Sequence, residues 1–236
     1  MIRARTIIFD VDGTLVDSAA DIHSALNHGL SLAGCGAIDF ESSRLLISLG
    51  LERSLESVLE QQGFRLEARE LARIEAECAA YYDAHVVEQT RLYPGVGETL
   101  QAFRRAGATL GVCTNKRPEP TARILSALGI AAHFGVVVAR GTLPESKPHP
   151  APLLAAIRAL GGRSESAAMV GDSAVDIDCA RAAGVASIVV AYGYSERPVA
   201  ELGADNVVNH FSELSSVLGA GPRARQSRRK RGSILP

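Results

Sequence analysis

The sequence predicts an α/β protein: a doubly wound parallel sheet with an all-helical subdomain inserted into it. Three observations carry this expectation. Short β-branched apolar runs recur along the chain with helical patterns between them, as in a parallel sheet covered on both faces. A stretch of about 70 residues behind the first run has no strand pattern at all. The 236 residues, 47% hydrophobic and 22% charged, suffice for one good core or two unequal units.

The first run is TIIF (6–9), followed by DVDGTLVDS. From Asp17 to about Val87 the periodicity is helical. AADIHSALNHGLSLA places Ile22, Ala25, Leu26, Gly29, Leu30 and Ala33 on one face. LARIEAECAAYYDAH repeats the spacing with Leu71, Ile74, Cys78, Tyr81 and His85. Pro94, Gly95 and Gly97 in LYPGVGETL are turn signals that close the insert. Strand patterns then resume as TLGVC (109–113), GVVVA (135–139), AAMV (167–170), ASIVVA (186–191) and NVV (206–208), with a helix predicted from Ala174 to Ala183. The expected division is a core of residues 1–16 and 88–218, a helical cap of residues 17–87 and a tail of residues 219–236. Ligands bind at the carboxyl ends of strands in doubly wound sheets, so a cap rising from the end of the first strand would cover the site.

Composition narrows the function. Cys35, Cys78, Cys113 and Cys179 are widely spaced within apolar segments and form no C-x-x-C pair, which predicts buried free thiols and a reducing, cytoplasmic setting. No apolar run approaches the roughly 18 residues that span a bilayer, and no leader-like apolar segment follows the amino terminus, so neither export nor membrane insertion is expected. The formal net charge of −1 conceals an asymmetry. PRARQSRRKRGSILP holds six basic residues and no acidic one; taking those six from the 25 basic residues leaves 19 against 26 acidic, a net −7 over residues 1–221. The expected tail is a solvated, disordered extension, and the acidic body offers nothing to nucleic acid.

Polar residues of a particular kind end the predicted strands. The first gives Asp10 and Asp12, the second Thr114 and Asn115, the third leads to Lys147 in PESKPHP, and the fourth runs into Asp172 and Asp176 in GDSAVD. In a parallel sheet these ends share one edge and converge on one pocket. Carboxylates brought together raise one another's pKa unless something positive joins them. Lys147 supplies one charge, and Mg²⁺, which takes one or two carboxylates together with substrate phosphate, fits the remainder. Thr114, Lys147 and the backbone N–H groups around Gly13 suit phosphate oxygens. Residues i and i+2 of a strand face the same side, so Asp10 and Asp12 can address one phosphate.

DVDGTLVDS, VCTNK, SKPHP and VGDSAVD together resemble the four-motif signature of the haloacid-dehalogenase-like (HAD) superfamily, over Ile7 to about Phe211, and most closely its phosphoglycolate phosphatase group. The resemblance implies a Rossmann-like core with a four-helix type of cap. It also implies that Asp10 is the nucleophile taking the phosphoryl group, and that Asp12 protonates the leaving alkoxide and then activates water. Asp10, the Asp12 backbone carbonyl and Asp172 would hold Mg²⁺ with Asp176 in support; Thr114, Lys147 and Asn115 would bind the phosphoryl oxygens. Capping of the 174–183 helix is the competing role for Asp176.

The expected function is therefore that of a Mg²⁺-dependent phosphatase for a small phosphorylated metabolite, 2-phosphoglycolate first, through an aspartyl-phosphate on Asp10. Sugar phosphates, pyrophosphate and a hexose-phosphate mutase reaction are the alternatives. Dehalogenation is disfavoured by Asp12, and phosphonate cleavage by the lack of lysine from Asp17 to Val87. A receiver-like signalling module is disfavoured by chain length and motif order. A substrate carboxylate needs a cation from the cap, where Arg44 and Arg53 flank LLISLGLE, a loop-like segment able to reach the pocket; Arg53 is the predicted specificity residue. Monomer and homodimer both remain open.

Overall fold

A computed structural model describes residues 4–219. Within them, β1 (Thr6–Phe9), β4 (Thr109–Cys113), β5 (Val136–Val138), β6 (Ala167–Gly171), β7 (Ala186–Val190) and β8 (Asn206–Val208) form one parallel sheet in the order β5-β4-β1-β6-β7-β8. The six predicted runs are these six strands, with β5 and β7 trimmed at their ends. The tail call on residues 219–236 lies, apart from Gly219, outside the described residues.

β1 is central because it is apolar on both sides. Ile7 and Phe9 face one layer with Phe103 and Phe211, while Ile8 faces the other with Leu153, Ile157 and Met169. Helices α5 (Val96–Arg105), α6 (Pro118–Ala127), α7 (Ala151–Ala159), α8 (Ala174–Ala183) and α9 (Leu214–Val217) supply the packing surfaces of these layers. The strand order runs outward from β1 in both directions, which puts its carboxyl end at a topological switch point.

Between β1 and β4 the chain forms α1 (Ala19–Leu32), α2 (Phe40–Arg44), a 3₁₀ turn at Ile47–Leu49, α3 (Leu51–Gln61) and α4 (Ala68–His85). On α1 the predicted face is buried from Ile22 to Leu30, and Ala33 is half-buried at the helix end. On α4, Ile74 and Cys78 are buried, but Tyr82 takes the place predicted for Tyr81. From Cys78 the i+4 position continues the buried stripe, and the i+3 position is displaced toward its edge. Cys113 and Cys179 are likewise buried free thiols, whereas Cys35 is only partly buried. Burial pushes the Cys78 and Cys113 thiols up to about 12. Among the described residues no helix is long and apolar enough to cross a membrane.

Two chain crossings join the helices to the sheet, and β2 (Val16–Asp17) pairs antiparallel with β3 (Arg91–Leu92) where they pass. Asp21, in the first turn of α1 and 2% exposed, fastens them. Its carboxylate accepts from the backbone N–H of Gln89 (2.9 Å) and of Thr90 (2.9 Å) and from the Thr90 hydroxyl (2.7 Å). The first N–H groups of α1 have no side-chain cap from Ser18; the Tyr194 hydroxyl accepts from Ser18 N at 2.8 Å and Ala19 N at 3.1 Å instead. Asp21→Ala strands the buried Thr90 donors and is expected to destabilise the protein by roughly 2–3 kcal/mol, read as a lower urea midpoint. Asp21→Asn, which keeps an acceptor, is expected to lose less.

Candidate active site

The pocket lies at the carboxyl ends of β1, β4 and β6, with the helical segment on its other side. From the sheet it is lined by Asp10, Asp12, Thr114, Lys116, Lys147 and Asp172. From the helical segment come Ile47, Ser48, Gly50, Leu51, Glu52 and Tyr82. The segment around Gly50 thus reaches the site as its sequence suggests.

Lys147 is the buried hinge of the floor. Its ammonium, in a side chain 2% exposed, lies 3.0 Å from Asp10 Oδ1 and 2.6 Å from Asp176 Oδ1. Burial by itself would depress the lysine, but the two carboxylates outweigh it and the net shift is upward. Its backbone is held by Asn115, whose Oδ1 accepts from Lys147 N and whose Nδ2 donates to Lys147 O, both at 3.0 Å. Asn115 itself lines the pocket, and fixing Lys147 takes its amide oxygen and one of its two N–H donors, which leaves the second N–H for the phosphoryl role expected of it.

Asp176 is buried behind the pocket. Its Oδ2 accepts from Ser173 Oγ (2.9 Å) and Ser173 N (3.2 Å), closing a capping box on α8, while its Oδ1 receives Lys147. Capping and support of the site are one arrangement here. Asp172 accepts from Tyr194 N at 2.7 Å, and it is packed so closely that a Cβ on Gly13 would stand 2.1 Å from its Oδ2. Gly13 also has φ +76°, so the DG turn needs glycine twice over.

Asp12 is held by groups that the motif reading passed over. Ser18 Oγ donates to its Oδ1 at 2.5 Å, and Lys116 Nζ lies 3.1 Å from both carboxylate oxygens. Lys116 also donates to the Tyr82 hydroxyl on α4, so one ammonium joins the sheet edge to the helical segment. Burial opposes its charge, yet Asp12 and Tyr82 raise it on balance. A sequence signal existed: the chain has only three lysines, Lys116, Lys147 and Lys230, against 22 arginines, and two of the three are buried in this pocket.

Arg53 is exposed on α3 and does not line the pocket, which corrects its predicted role. A helix turns by about 100° per residue, and the neighbouring position Glu52 takes the inward direction. Arg44 is half-buried, 5.5 Å from the Tyr194 ring and donating to Gly193 O at 3.2 Å. The arginines at the pocket are Arg117 and Arg140.

The floor is suited to a divalent cation. Asp10, Asp172 and Asp176 place one oxygen each within 4.8 Å of one another. Burial pushes Asp10 up to about 6, with Lys147 opposing and Asp176 and Asp12 adding to the rise. Burial, then Asp176 and Asp10, raise Asp172 well above the carboxylate range. Asp10 Oδ1 is buried without an aligned hydrogen bond, its contact with Lys147 being ionic. Asp10, Asp12, Asp172 and Asp176 face Lys116 and Lys147, a deficit of two positive charges that one Mg²⁺ would fill.

Residues 7–190 match the family model described as Haloacid dehalogenase-like hydrolase. The chain is 36% identical over 209 residues to a protein named phosphoglycolate phosphatase from Mesorhizobium japonicum, covering 89% of this chain and 92% of that one. It is also 36% identical over 213 residues to one of the same name from Caulobacter vibrioides, covering 90% of each. Among solved structures, a predicted phosphoglycolate phosphatase from Haemophilus somnus superposes with a TM-score of 0.87 at 31% identity, over 92% of this chain and 99% of that one. CbbY from Rhodobacter sphaeroides, solved in complex with phosphate, gives 0.77 at 28% identity, over 91% and 96%. With a family match running from β1 to the end of β7, the chain belongs to the haloacid dehalogenase-like hydrolases.

Proposed function

We propose that this chain is a Mg²⁺-dependent phosphatase that hydrolyses a small phosphomonoester, 2-phosphoglycolate first among candidates, through an aspartyl-phosphate on Asp10. The observation that carries the reaction is the convergence of Asp10, Asp12 and the two buried lysines on one pocket. The relatives named phosphoglycolate phosphatase, aligned over about nine-tenths of the chain, support the substrate.

The Asp10 carboxylate attacks phosphorus, the bond to the substrate's alkoxide breaks, and Asp12 gives that oxygen its proton. A water molecule, losing a proton to Asp12, then attacks the phosphorylated Asp10 and releases inorganic phosphate. One difficult displacement becomes two easier ones. Lys147 and the Thr114 hydroxyl face the phosphoryl oxygens, and alignment with charge neutralisation supplies most of what phosphoryl transfer requires. Asp10, Asp172 and the Asp12 backbone carbonyl would hold Mg²⁺, which when bound supplies further neutralisation of the phosphoryl charge. Asp176 steadies this set through Lys147 and Ser173. Ser18 and Lys116 fix Asp12 beside the pocket. Residues 17–87 act as a cap, and the Ile47–Gly50 segment on the pocket wall keeps bulk water from the reacting phosphate.

Phosphate release across 2-phosphoglycolate, sugar phosphates, pyrophosphate and an aryl phosphate, with Mg²⁺ and with EDTA, tests the reading. It is expected to show one small phosphate preferred and no turnover in EDTA; a panel without turnover would sink it. Asp10→Asn is expected to remove activity altogether, and Asp12→Ala to lower kcat by about 10²- to 10⁴-fold.

The sign of the pH dependence follows from Asp10. Its pKa is raised on folding, so without metal its contribution to stability is present at low pH and is lost as pH rises toward about 6. Mg²⁺ binds the ionised form and reverses that loss. The gain in Tm on adding Mg²⁺ is therefore expected to be larger at about pH 7.5 than at about pH 5.5. An equal gain at both would contradict a metal site built on Asp10.

A further inference from the structure

We propose that Arg140 is the specificity-determining cation of the pocket: it receives a carboxylate that the substrate carries beside its phosphate, and Glu52 occupies it until that group arrives. This deepens the phosphatase reading and rests on it.

Four cations line the pocket, and three of them each meet at least two side chains. Lys147 lies between Asp10 and Asp176, and Lys116 is divided between the two Asp12 oxygens and Tyr82. Arg117 meets Asp83 with two nitrogens, Nη1 to Oδ2 at 3.1 Å and Nη2 to Oδ1 at 2.7 Å. Arg140 differs. Among the described residues its guanidinium has one partner, Glu52 Oε2, 2.6 Å from Nη1. A guanidinium carries five N–H donors in a planar fork that matches a carboxylate, so most of its donors remain available.

Its position is defined. Arg140 N donates to Lys116 O at 3.0 Å, tying the residue to the loop that carries Thr114 and Lys116. The side chain is 31% exposed, partly desolvated yet open to the pocket. Gly50 stands across from it with φ +86°, and a Cβ there would come within 3.3 Å of Nη1, so this glycine leaves the guanidinium approachable.

Glu52 already demonstrates that the position accepts a carboxylate. It also has somewhere to go, because its Oε1 lies 3.7 Å from Arg117 Nε. A substrate carboxylate can replace it on Arg140 while Glu52 retains Arg117. A phosphate ester with a neutral tail leaves the Glu52 pair intact and gains nothing from Arg140. Selectivity then arises from exchange of one carboxylate for another in a partly desolvated site.

The test reads binding in an Asp10→Asn protein, which separates recognition from turnover. Calorimetry with Mg²⁺ compares 2-phosphoglycolate with 2-hydroxyethyl phosphate, an ester of similar size without the carboxylate. The expected preference for 2-phosphoglycolate is about 10–100-fold, the range of a hydrogen-bonded charged group. Arg140→Gln is expected to abolish it while 2-hydroxyethyl phosphate binds within about threefold of its former affinity, and Arg140→Lys to restore part of it. Glu52→Gln, which removes the competing carboxylate, is expected to tighten 2-phosphoglycolate binding; weaker binding would overturn the exchange. Absence of the preference, its survival in Arg140→Gln, equal weakening of both ligands, or binding of neither overturns the assignment. If the unsubstituted chain hydrolyses neither ester while the Arg140-dependent preference persists, the phosphatase reading fails and the role of Arg140 stands.

Discussion

A single buried ammonium group organises this molecule's pocket. Lys147 Nζ sits between Asp10 at the end of β1 and Asp176 in the first turn of α8, almost wholly out of water. Taking an ion pair out of water costs several kcal/mol per charge, and only close pairing with further hydrogen bonds offsets it. The surroundings provide both: Asn115 fixes the lysine's backbone, and Ser173 holds the second Asp176 oxygen. Removing the lysine would leave two buried carboxylates facing each other, a change of the kind that costs roughly 3–5 kcal/mol. The strand ends therefore meet around a charge that none of them could keep buried alone.

A second set of ion pairs lies between the sheet and the helical segment. Lys116 links Asp12 to Tyr82, Arg117 links to Asp83, and Arg140 links to Glu52. Each pairs a residue of a loop following β4 or β5 with a residue of α3 or α4, or passes through one. These contacts surround the pocket, so the charges that could meet substrate also set how the helices approach the sheet. Arg117 and Arg140 are a quarter to a third exposed, at 28% and 31%, so their pairs are screened and worth much less than the Lys147 cluster. That contrast suits a rigid floor beneath a covering whose contacts can exchange. The floor lacks two positive charges relative to its carboxylates, and a hard divalent ion meets that requirement where another surface arginine would not.

The six strand runs, the helical insert and the convergence of Asp10, Asp12, Thr114, Lys147 and Asp172 were all legible in the sequence. Each depends on local periodicity and on one topological rule, that parallel strands end along one edge. Two placements went differently because they depended on rotation about a helix. Tyr82 rather than Tyr81 is buried on α4, and Glu52 rather than Arg53 turns inward on α3. Asn115 carries the expected amide to the pocket, and what the sequence did not show is that Lys147, 32 residues on, takes its oxygen and one of its N–H donors.

By itself, then, the sequence determined which residues form the sheet, where the chain leaves it for the helices, and which carboxylates stand at the strand ends. Hydrophobic period and β-branched composition are local properties, and they survive without knowledge of neighbours. Only the tertiary structure decided the pairings: Lys116 with Asp12 across 104 residues, Lys147 with Asp176 across 29, Arg140 with Glu52 across 88. A charged side chain can satisfy itself with any opposite charge that packing brings near. Its partner is set by the three-dimensional arrangement and by the cost of leaving it alone in a dry site, and neither is written in the spacing of residues along the chain.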